Sequence, residues 1–459
     1  MTCLSQTFLV SFGFMSTGNV RYPDGHVLLR NLNRDFPVIS HGEGLYLYDM
    51  AGKKYIDASG GALVMSLGHG NKDVVARIAD QMSRVAYVNG TQFTSQAAED
   101  LAAHLTRRAP KGLTRAFFLA SGSEANEAAV KFARQLWVER GQEKRSKVIA
   151  RSPGYHGNTL YALSASARPH YKKFYGPLLS DVVMIPAPYG YRSVVDYEKE
   201  GGEHYARLFE QAVEREGPET IAAFIFEPVI GSSAGASVPP PGYFERVQAV
   251  CRKHGILMIA DEVMCGAGRT GRFYACEHFG IEPDIIVLGK GINSGYVPVS
   301  AVLVRDEHVA EMKQGSGYFM HAQTYMQAPS MVATGLAVME HMESHRVIEN
   351  AAVVGAHFQK ALRERILPLP KVGNVSGIGL FAGVEFVEDK ATKKPFARAQ
   401  KFAEKFIDKA FQSGLILWPN VGQADGVNGD LVMLGPPLNI TKIQADEIVD
   451  ALAAVIRQM

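Results

Sequence analysis

Seven apolar runs recur between residues 115 and 304: "RAFFLA" (115–120), "KVIA" (147–150), "DVVMI" (181–185), "IAAFIFEPVI" (221–230), "GILMIADEV" (255–263), "DIIVLG" (284–289) and "VSAVLV" (299–304). Most are continuous rather than alternating, as expected of strands covered on both faces. Helical periodicity fills intervals between them, as in "SEANEAAVKFARQLWVER" (123–140) and "GYFERVQAVCRKHG" (242–255). Strand and helix in alternation predict an α/β fold around a mostly parallel sheet.

The texture changes after about residue 330. A long helical stretch (330–366) leads to a short strand-like region, "GIGLFAGVEFV" (377–387), then another helix and a glycine-rich tail. This reads as a second, smaller domain. "EGLYLYDMAGKKYIDA" (43–58), a hairpin with its turn at Ala51-Gly52, is expected to join it. The predicted division is an N-terminal segment, 1–70, contributing to the small domain, a large domain over 71–335 and the small domain proper over 336–459.

Composition narrows the classes. The chain has 459 residues, 47% hydrophobic and 20% charged, enough for a large core. Lys plus Arg is 48 against 46 for Asp plus Glu, and the net charge of +2 supplies no field for a nucleic-acid backbone. The clusters at 139–147 and 388–405 mix signs and read as solvated faces. No run is long enough to span a membrane. The first residues have an apolar patch without a basic flank, so no signal peptide is expected, and Met15 is an alternative start. Cys3, Cys251, Cys265 and Cys276 form no CxxC pair and no disulfide framework, which favours the cytoplasm.

Chemistry gathers where strands end. Lys290 follows the run 285–288 between Gly289 and Gly291. A lysine there ordinarily snorkels to water, but the glycines also permit a sharp turn or a close ligand. In "FFLASGSEANEAAVKFAR" (117–134), Ser121 and Glu124 have capping-box spacing, and the helix start at Gly122 and Ser123 is a candidate phosphate site as well as an ordinary cap. Asp261 and Glu262 end an apolar strand, where a carboxylate needs exposure or a cationic partner such as a protonated heterocyclic nitrogen. Tyr155 and His156 lie beside glycines in "SPGYHGNTLYALSAS" (152–166), where an aromatic ring either packs or stacks on a flat ligand. Thr324 offers a hydroxyl. Two literal motifs fit poorly. "GAGRTG" (266–271) resembles a dinucleotide fingerprint but lacks the helix and the distal acid. "GSSAG" (231–235), with Ser233, resembles a serine-hydrolase elbow but is followed by "ASVPPPG" instead of a helix.

A phosphate cradle, a strand-end acid, a strand-end lysine and an aromatic platform at the carboxyl ends of one sheet suit pyridoxal 5′-phosphate (PLP). From about residue 30 to its end the chain resembles the class III PLP-dependent aminotransferases, which include ω-amino acid and amine transaminases. The resemblance rests on "GEGLYLYDMAGKKYIDASGGALVMSLGHGN", "LASGSEANEAAVKFAR", "GYHGNTLYALSAS", "FEPVIG", "HGILMIADEVMCGAGRTGRF", "EHFGIEPDIIVLGKGI" and "QTYMQAPS", in that order. It implies the type I PLP fold with active sites at a homodimer interface. Lys290 then resembles the Schiff-base lysine, Asp261 the partner of the pyridine nitrogen and Glu227 a supporting acid. Gly122 and Ser123 match the phosphate turn, Tyr155 the stacking ring with His156 beside it, and Val263 the contact on the opposite face. Thr324 matches the residue reaching the neighbouring subunit's cofactor.

Two positions depart from the family pattern. Trp418 stands where many relatives carry a carboxylate-clamping arginine, which leaves Arg168 or a donor without a nearby carboxylate. Leu63 replaces a bulky aromatic of several amine transaminases and is expected to open the pocket. The expected reaction moves an amino group from an amine or ω-amino acid to a keto acid such as pyruvate. An aminomutase or decarboxylating relative, and more remotely a hydrolase using Ser233, are the alternatives, and the expected assembly is a homodimer or a tetramer of two such dimers.

Overall fold

The computed structural model describes residues 18–459. Cys3 and the alternative start at Met15 lie outside the described residues. All seven predicted runs form one sheet: β1 (Leu113–Leu119), β2 (Lys147–Ser152), β3 (Val183–Pro186), β4 (Ile221–Phe226), β5 (Leu257–Asp261), β6 (Ile285–Leu288) and β7 (Ser300–Arg305). Their order is β1-β7-β6-β5-β4-β2-β3, and only β7 runs antiparallel to its neighbours. Every residue of β4, β5 and β6 is buried. Alternate side chains serve opposite faces. Phe224, Phe226 and Met258 join one core, while Ala223, Ile225 and Ile259 join another. Two covered faces explain why these runs are continuous in the sequence.

Helix α1 (Gly122–Glu139) leaves β1 and packs across β7, β6 and β4. Its Ala125, Ala128, Ala129 and Ala133 are all fully buried, so small side chains bring it close to the sheet. The cysteines Cys251, Cys265 and Cys276 are free and buried.

The predicted N-terminal hairpin forms, with Tyr46 opposite Ile56 and the Asp49 carboxylate accepting from the N–H groups of Ala51 and Lys53. Its second strand also pairs in parallel with Leu415–Ile416, which ties the two ends of the chain together. The stretch 330–366 is two helices, Pro329–Ser344 and Val347–Arg365, broken where Arg346 adopts φ +50°. "GIGLFAGVEFV" contributes to a hairpin of Val372–Ile378 and Phe381–Phe386. The glycine-rich tail contains strands Trp418–Val421 and Asp430–Leu434 and precedes a final helix, Lys442–Arg457. Among the described residues no helix is long and apolar enough to cross a membrane.

Candidate active site

The carboxyl ends of β1, β2, β4, β5 and β6 surround one cavity of ≈ 430 Å³, within the ordinary range for a small-molecule site. It is lined by Gly122, Ser123, Tyr155, His156, Arg168, Glu227, Asp261, Val263, Lys290 and Trp418. Residues from strand-end loops more than 160 positions apart in sequence meet here because parallel strands deliver their ends to the same edge.

At the end of β1, the capping box forms as its spacing predicts. Ser121 Oγ accepts from the Glu124 N–H at 3.3 Å, and Glu124 Oε2 accepts from Ala120 and Ser121 at 2.9 and 3.0 Å. The N–H groups of Gly122 and Ser123 keep no acceptor among the described residues. They face the cavity at the positive end of an 18-residue helix. A Cβ at Gly122 would stand 2.8 Å from Val263 Cγ1, so only glycine lets Val263 and the helix start share this wall.

Asp261, at the end of β5, is 4% exposed. Its Oδ2 accepts from Asn126 Nδ2 at 2.8 Å and lies 2.8 Å from His156 Nδ1, while Oδ1 accepts from the Val263 N–H at 3.1 Å. His156 is itself buried, and Asn126 Nδ2 also donates to its carbonyl. Glu227 is buried and accepts from the N–H groups of Tyr155 and Gly231. Desolvation raises its pKa, His156 opposes that shift and Asp261 adds to it. Glu227 thus positions Tyr155.

Lys290 opens the turn after β6. The flanking glycines do not supply the turn's unusual conformation. Lys290 itself adopts φ +44°, in the left-handed region that side chains rarely occupy. The glycines serve close approach: a Cβ at Gly289 would stand 3.3 Å from Val263 Cγ1, and one at Gly291 would stand 3.0 Å from Ala267 Cβ. Desolvation lowers the Lys290 ammonium pKa to about 8, against the opposing pull of Asp261 and Glu227.

Arg168 is 8% exposed and lies 4.9 Å over the Tyr155 ring. Its guanidinium donates to Asn420 Oδ1 and, at 2.8 Å, to Ser232 Oγ, while its Nε has no partner. Desolvation lowers its pKa.

Two predicted residues stand apart from the cavity. Leu63 packs into the core with Phe381 and Met433 and is 1% exposed; its neighbour Ala62 lines the cavity instead. Gly60, Gly61 and Leu63 itself all take positive φ, and this turn carries the Leu63 side chain into the core, so its size does not widen the pocket. Thr324 is exposed on the loop before Pro329 and does not line this chain's cavity. Ser233 is buried with an unpartnered Oγ, and no helix begins before Tyr243, so the elbow geometry is absent. "GAGRTG" opens no helix. Arg269 donates to the carbonyls of Leu380 and Pro436, and Gly271 packs on Ala352. Asn126, Ser232, Asn420 and Arg30 are site residues that sequence reading missed. Asn126 had a readable signal: it lies one turn beyond Gly122, on the helix face turned to the strand ends.

The residues present fit PLP. Two free N–H groups at a helix start suit a phosphate, and Asp261, without a Lys or Arg partner among the described residues, suits a protonated ring nitrogen. The Lys290 amine suits an aldehyde. The fold and cavity define an α/β enzyme with its site on the carboxyl edge of a mostly parallel sheet. The chain belongs to the class III aminotransferases: residues 30–456 match the family Aminotransferase class-III. The fold is the type I PLP fold, and the protein is an aminotransferase from a PLP-dependent family.

Relatives agree over nearly the full length. An uncharacterized aminotransferase of Bacillus subtilis, YodT, is 38% identical over 94% of this chain and 97% of its own. A taurine–pyruvate aminotransferase of Bilophila wadsworthia is 33% identical over 92% and 93%. A thermostable (S)-enantioselective omega-transaminase from Thermomicrobium roseum superposes with a TM-score of 0.86 at 37% identity, covering 92% of both chains.

Proposed function

We propose that this enzyme holds PLP through Lys290 and moves an amino group from an amine or ω-amino acid to a keto acid such as pyruvate. The carrying observation is a lysine amine with its pKa lowered to about 8, in one cavity with Asp261 and the free helix start. When bound, PLP supplies an aldehyde and an electron-withdrawing ring that stabilises negative charge on the substrate carbon. The N–H groups of Gly122 and Ser123 would hold its phosphate. Asp261, fixed by Asn126 and the Val263 N–H, keeps the ring nitrogen protonated. Tyr155 and Val263 confine the ring from either side, and Lys290 Nζ takes and returns the proton of the transfer.

Arg168 is the proposed anchor for a substrate's acid group. Its guanidinium has five N–H donors, and the hydrogen bonds to Asn420 and Ser232 leave the others without a partner among the described residues. Trp418 replaces the clamp found in many relatives and lines the same cavity. Similarity to taurine–pyruvate aminotransferases supports a donor whose acid lies on the carbon beyond the aminated one. The proposed assembly is a cytoplasmic homodimer, two of which can pair as a tetramer, with Thr324 reaching the neighbouring site. The exposed rings of Tyr87, Phe93 and Tyr325 near that loop support a covered face.

The first test is capture of PLP by cofactor-stripped protein, followed by yellow absorbance. The free amine reacts, and its fraction grows as pH rises through the lowered pKa of about 8. At pH 7 about a tenth of Lys290 is free, against roughly 0.03% for an ordinary lysine. The capture rate should therefore level off above pH ~8. A rate still climbing about tenfold between pH 8 and 9, as for an ordinary lysine, would contradict the assignment. Adding a simple alkyl amine should then bleach the yellow band; bleaching only by α-amino acids would overturn the donor class.

Arg168→Leu should raise KM for pyruvate and for ω-amino acids by roughly 10–100-fold, the loss of one charge-assisted hydrogen-bonding site. KM for a plain alkyl amine should stay within about twofold. Equal effects on all donors would show that Arg168 only supports Tyr155.

A further inference from the structure

Arg168 is not the only arginine in the cavity. Arg30 lines it as well, from the N-terminal segment, and is exposed where Arg168 is buried. Its guanidinium sits 5.8 Å over the Tyr171 ring and donates to the Tyr171 hydroxyl. Tyr171 belongs to the short helix Pro169–Tyr175, and Arg168 is the N-cap of that helix. One short element therefore carries one arginine inward and seats the other at the mouth.

Neither arginine has a carboxylate partner among the described residues. The cavity's own acids are committed elsewhere. Asp261 accepts from Asn126 and the Val263 N–H, and Glu227 from two backbone N–H groups. Glu404, at the mouth, is bound by both terminal nitrogens of Arg398. Desolvation lowers the pKa of Arg168; Tyr155, Tyr171 and Glu227 pull it back up, and Arg30 adds the smallest push downward. Two guanidinium groups without a carboxylate hydrogen-bond partner among the described residues, at different depths and with Trp418 and Tyr155 as apolar walls, suit an anionic ligand whose charge can lie at either depth.

Building on the aminotransferase reading, we propose that Arg168 and Arg30 are inner and outer acid stations. Short substrates, with the acid within two bonds of the reacting carbon, use Arg168. Straight-chain ω-amino acids whose acid lies several methylenes further out use Arg30, which is thereby the residue that sets the upper chain length. A linear dicarboxylate of sufficient length engages both stations at once.

The test is equilibrium binding of unreactive acids to the cofactor-loaded protein, with propionate and linear dicarboxylates of four to eight carbons as probes. The chain has two tryptophans; Trp137 is in the core, so quenching reports on Trp418. Wild-type affinity should step up about tenfold once the dicarboxylate spans both stations, the size of one added charge-assisted contact. Arg30→Gln should abolish that step and leave propionate binding unchanged, and Arg30→Lys should restore part of it. In turnover, Arg30→Gln should raise KM for long ω-amino acids with kcat unchanged. Equal weakening of propionate and long diacids would reduce Arg30 to a general field effect and overturn the proposal, as would no change in either. The underlying reading fails separately: a protein that takes up no PLP would still reveal or refute the two stations through binding to the unloaded chain.

Discussion

Replacing Lys290 by alanine should lower turnover by about 10⁴-fold or more, because a placed proton carrier contributes roughly 10²–10⁴-fold and the covalent hold on the cofactor is lost with it. Three features of the chain set this expectation. The strand β6 ends in a fully buried run, which fixes where the turn begins. The turn puts Lys290 at φ +44°, a conformation that is paid for by close packing of Gly289 and Gly291 against Val263 and Ala267. Desolvation then lowers the amine to about 8, so a useful fraction is uncharged near neutrality. Lys290→Arg should be equally inactive, since it keeps the charge but cannot deprotonate. A small amine such as ethylamine should restore part of the Lys290→Ala activity by entering the vacated space, and none of the Lys290→Arg activity. Thermal stability should hold. A lysine with a depressed folded pKa destabilises the fold fully below about pH 8, and alanine removes that penalty. A Lys290→Ala enzyme within tenfold of wild type would remove Lys290 from the chemistry.

Much of this site was legible because its residues occupy strand ends. Continuous apolar runs mark a sheet covered on both faces, and the polar residue that stops such a run marks the carboxyl edge: Asp261 after β5, Lys290 after β6, the Ser-Gly-Ser turn after β1. What could not be read is pairing across the fold. Arg168 meets Asn420 and Ser232 from segments 252 and 64 residues away, and nothing local announces those partners. Leu63 and Ala62 exchange roles through a turn in which Gly60, Gly61 and Leu63 itself take positive φ, a one-residue rotation that composition does not encode. The break at Arg346 carries no Gly or Pro, so the helical pattern runs through it unmarked. The last helix was different. Thr441 and Gln444 form a capping box whose spacing is visible in "NITKIQADEIV", and that signal was available.

Asp261→Asn should lower turnover on the order of 10³-fold, comparable to removing a preorganised electrostatic group from an enclosed site. The substitution keeps shape and removes only charge, yet it cannot keep all the bonds. Asp261 Oδ2 sits between Asn126 Nδ2 and His156 Nδ1, and Oδ1 faces the Val263 N–H. An amide oriented either way turns one NH2 toward a donor, which costs about 1–3 kcal/mol of stability. Asn126→Ala removes one of the same bonds but leaves the charge, so it should reproduce part of the stability loss with a fall in kcat of under about tenfold. Measuring kcat and melting temperature for both variants separates charge from scaffolding: equal losses of kcat would mean that Asp261 acts only through the geometry it holds. Asp261 is 4% exposed, where a carboxylate is costly, and the ionisable side chain paired with it among the described residues is His156, 2.8 Å away. On the proposed reading, a protonated ring nitrogen would add a cationic partner from outside the chain to the one His156 can supply from within it.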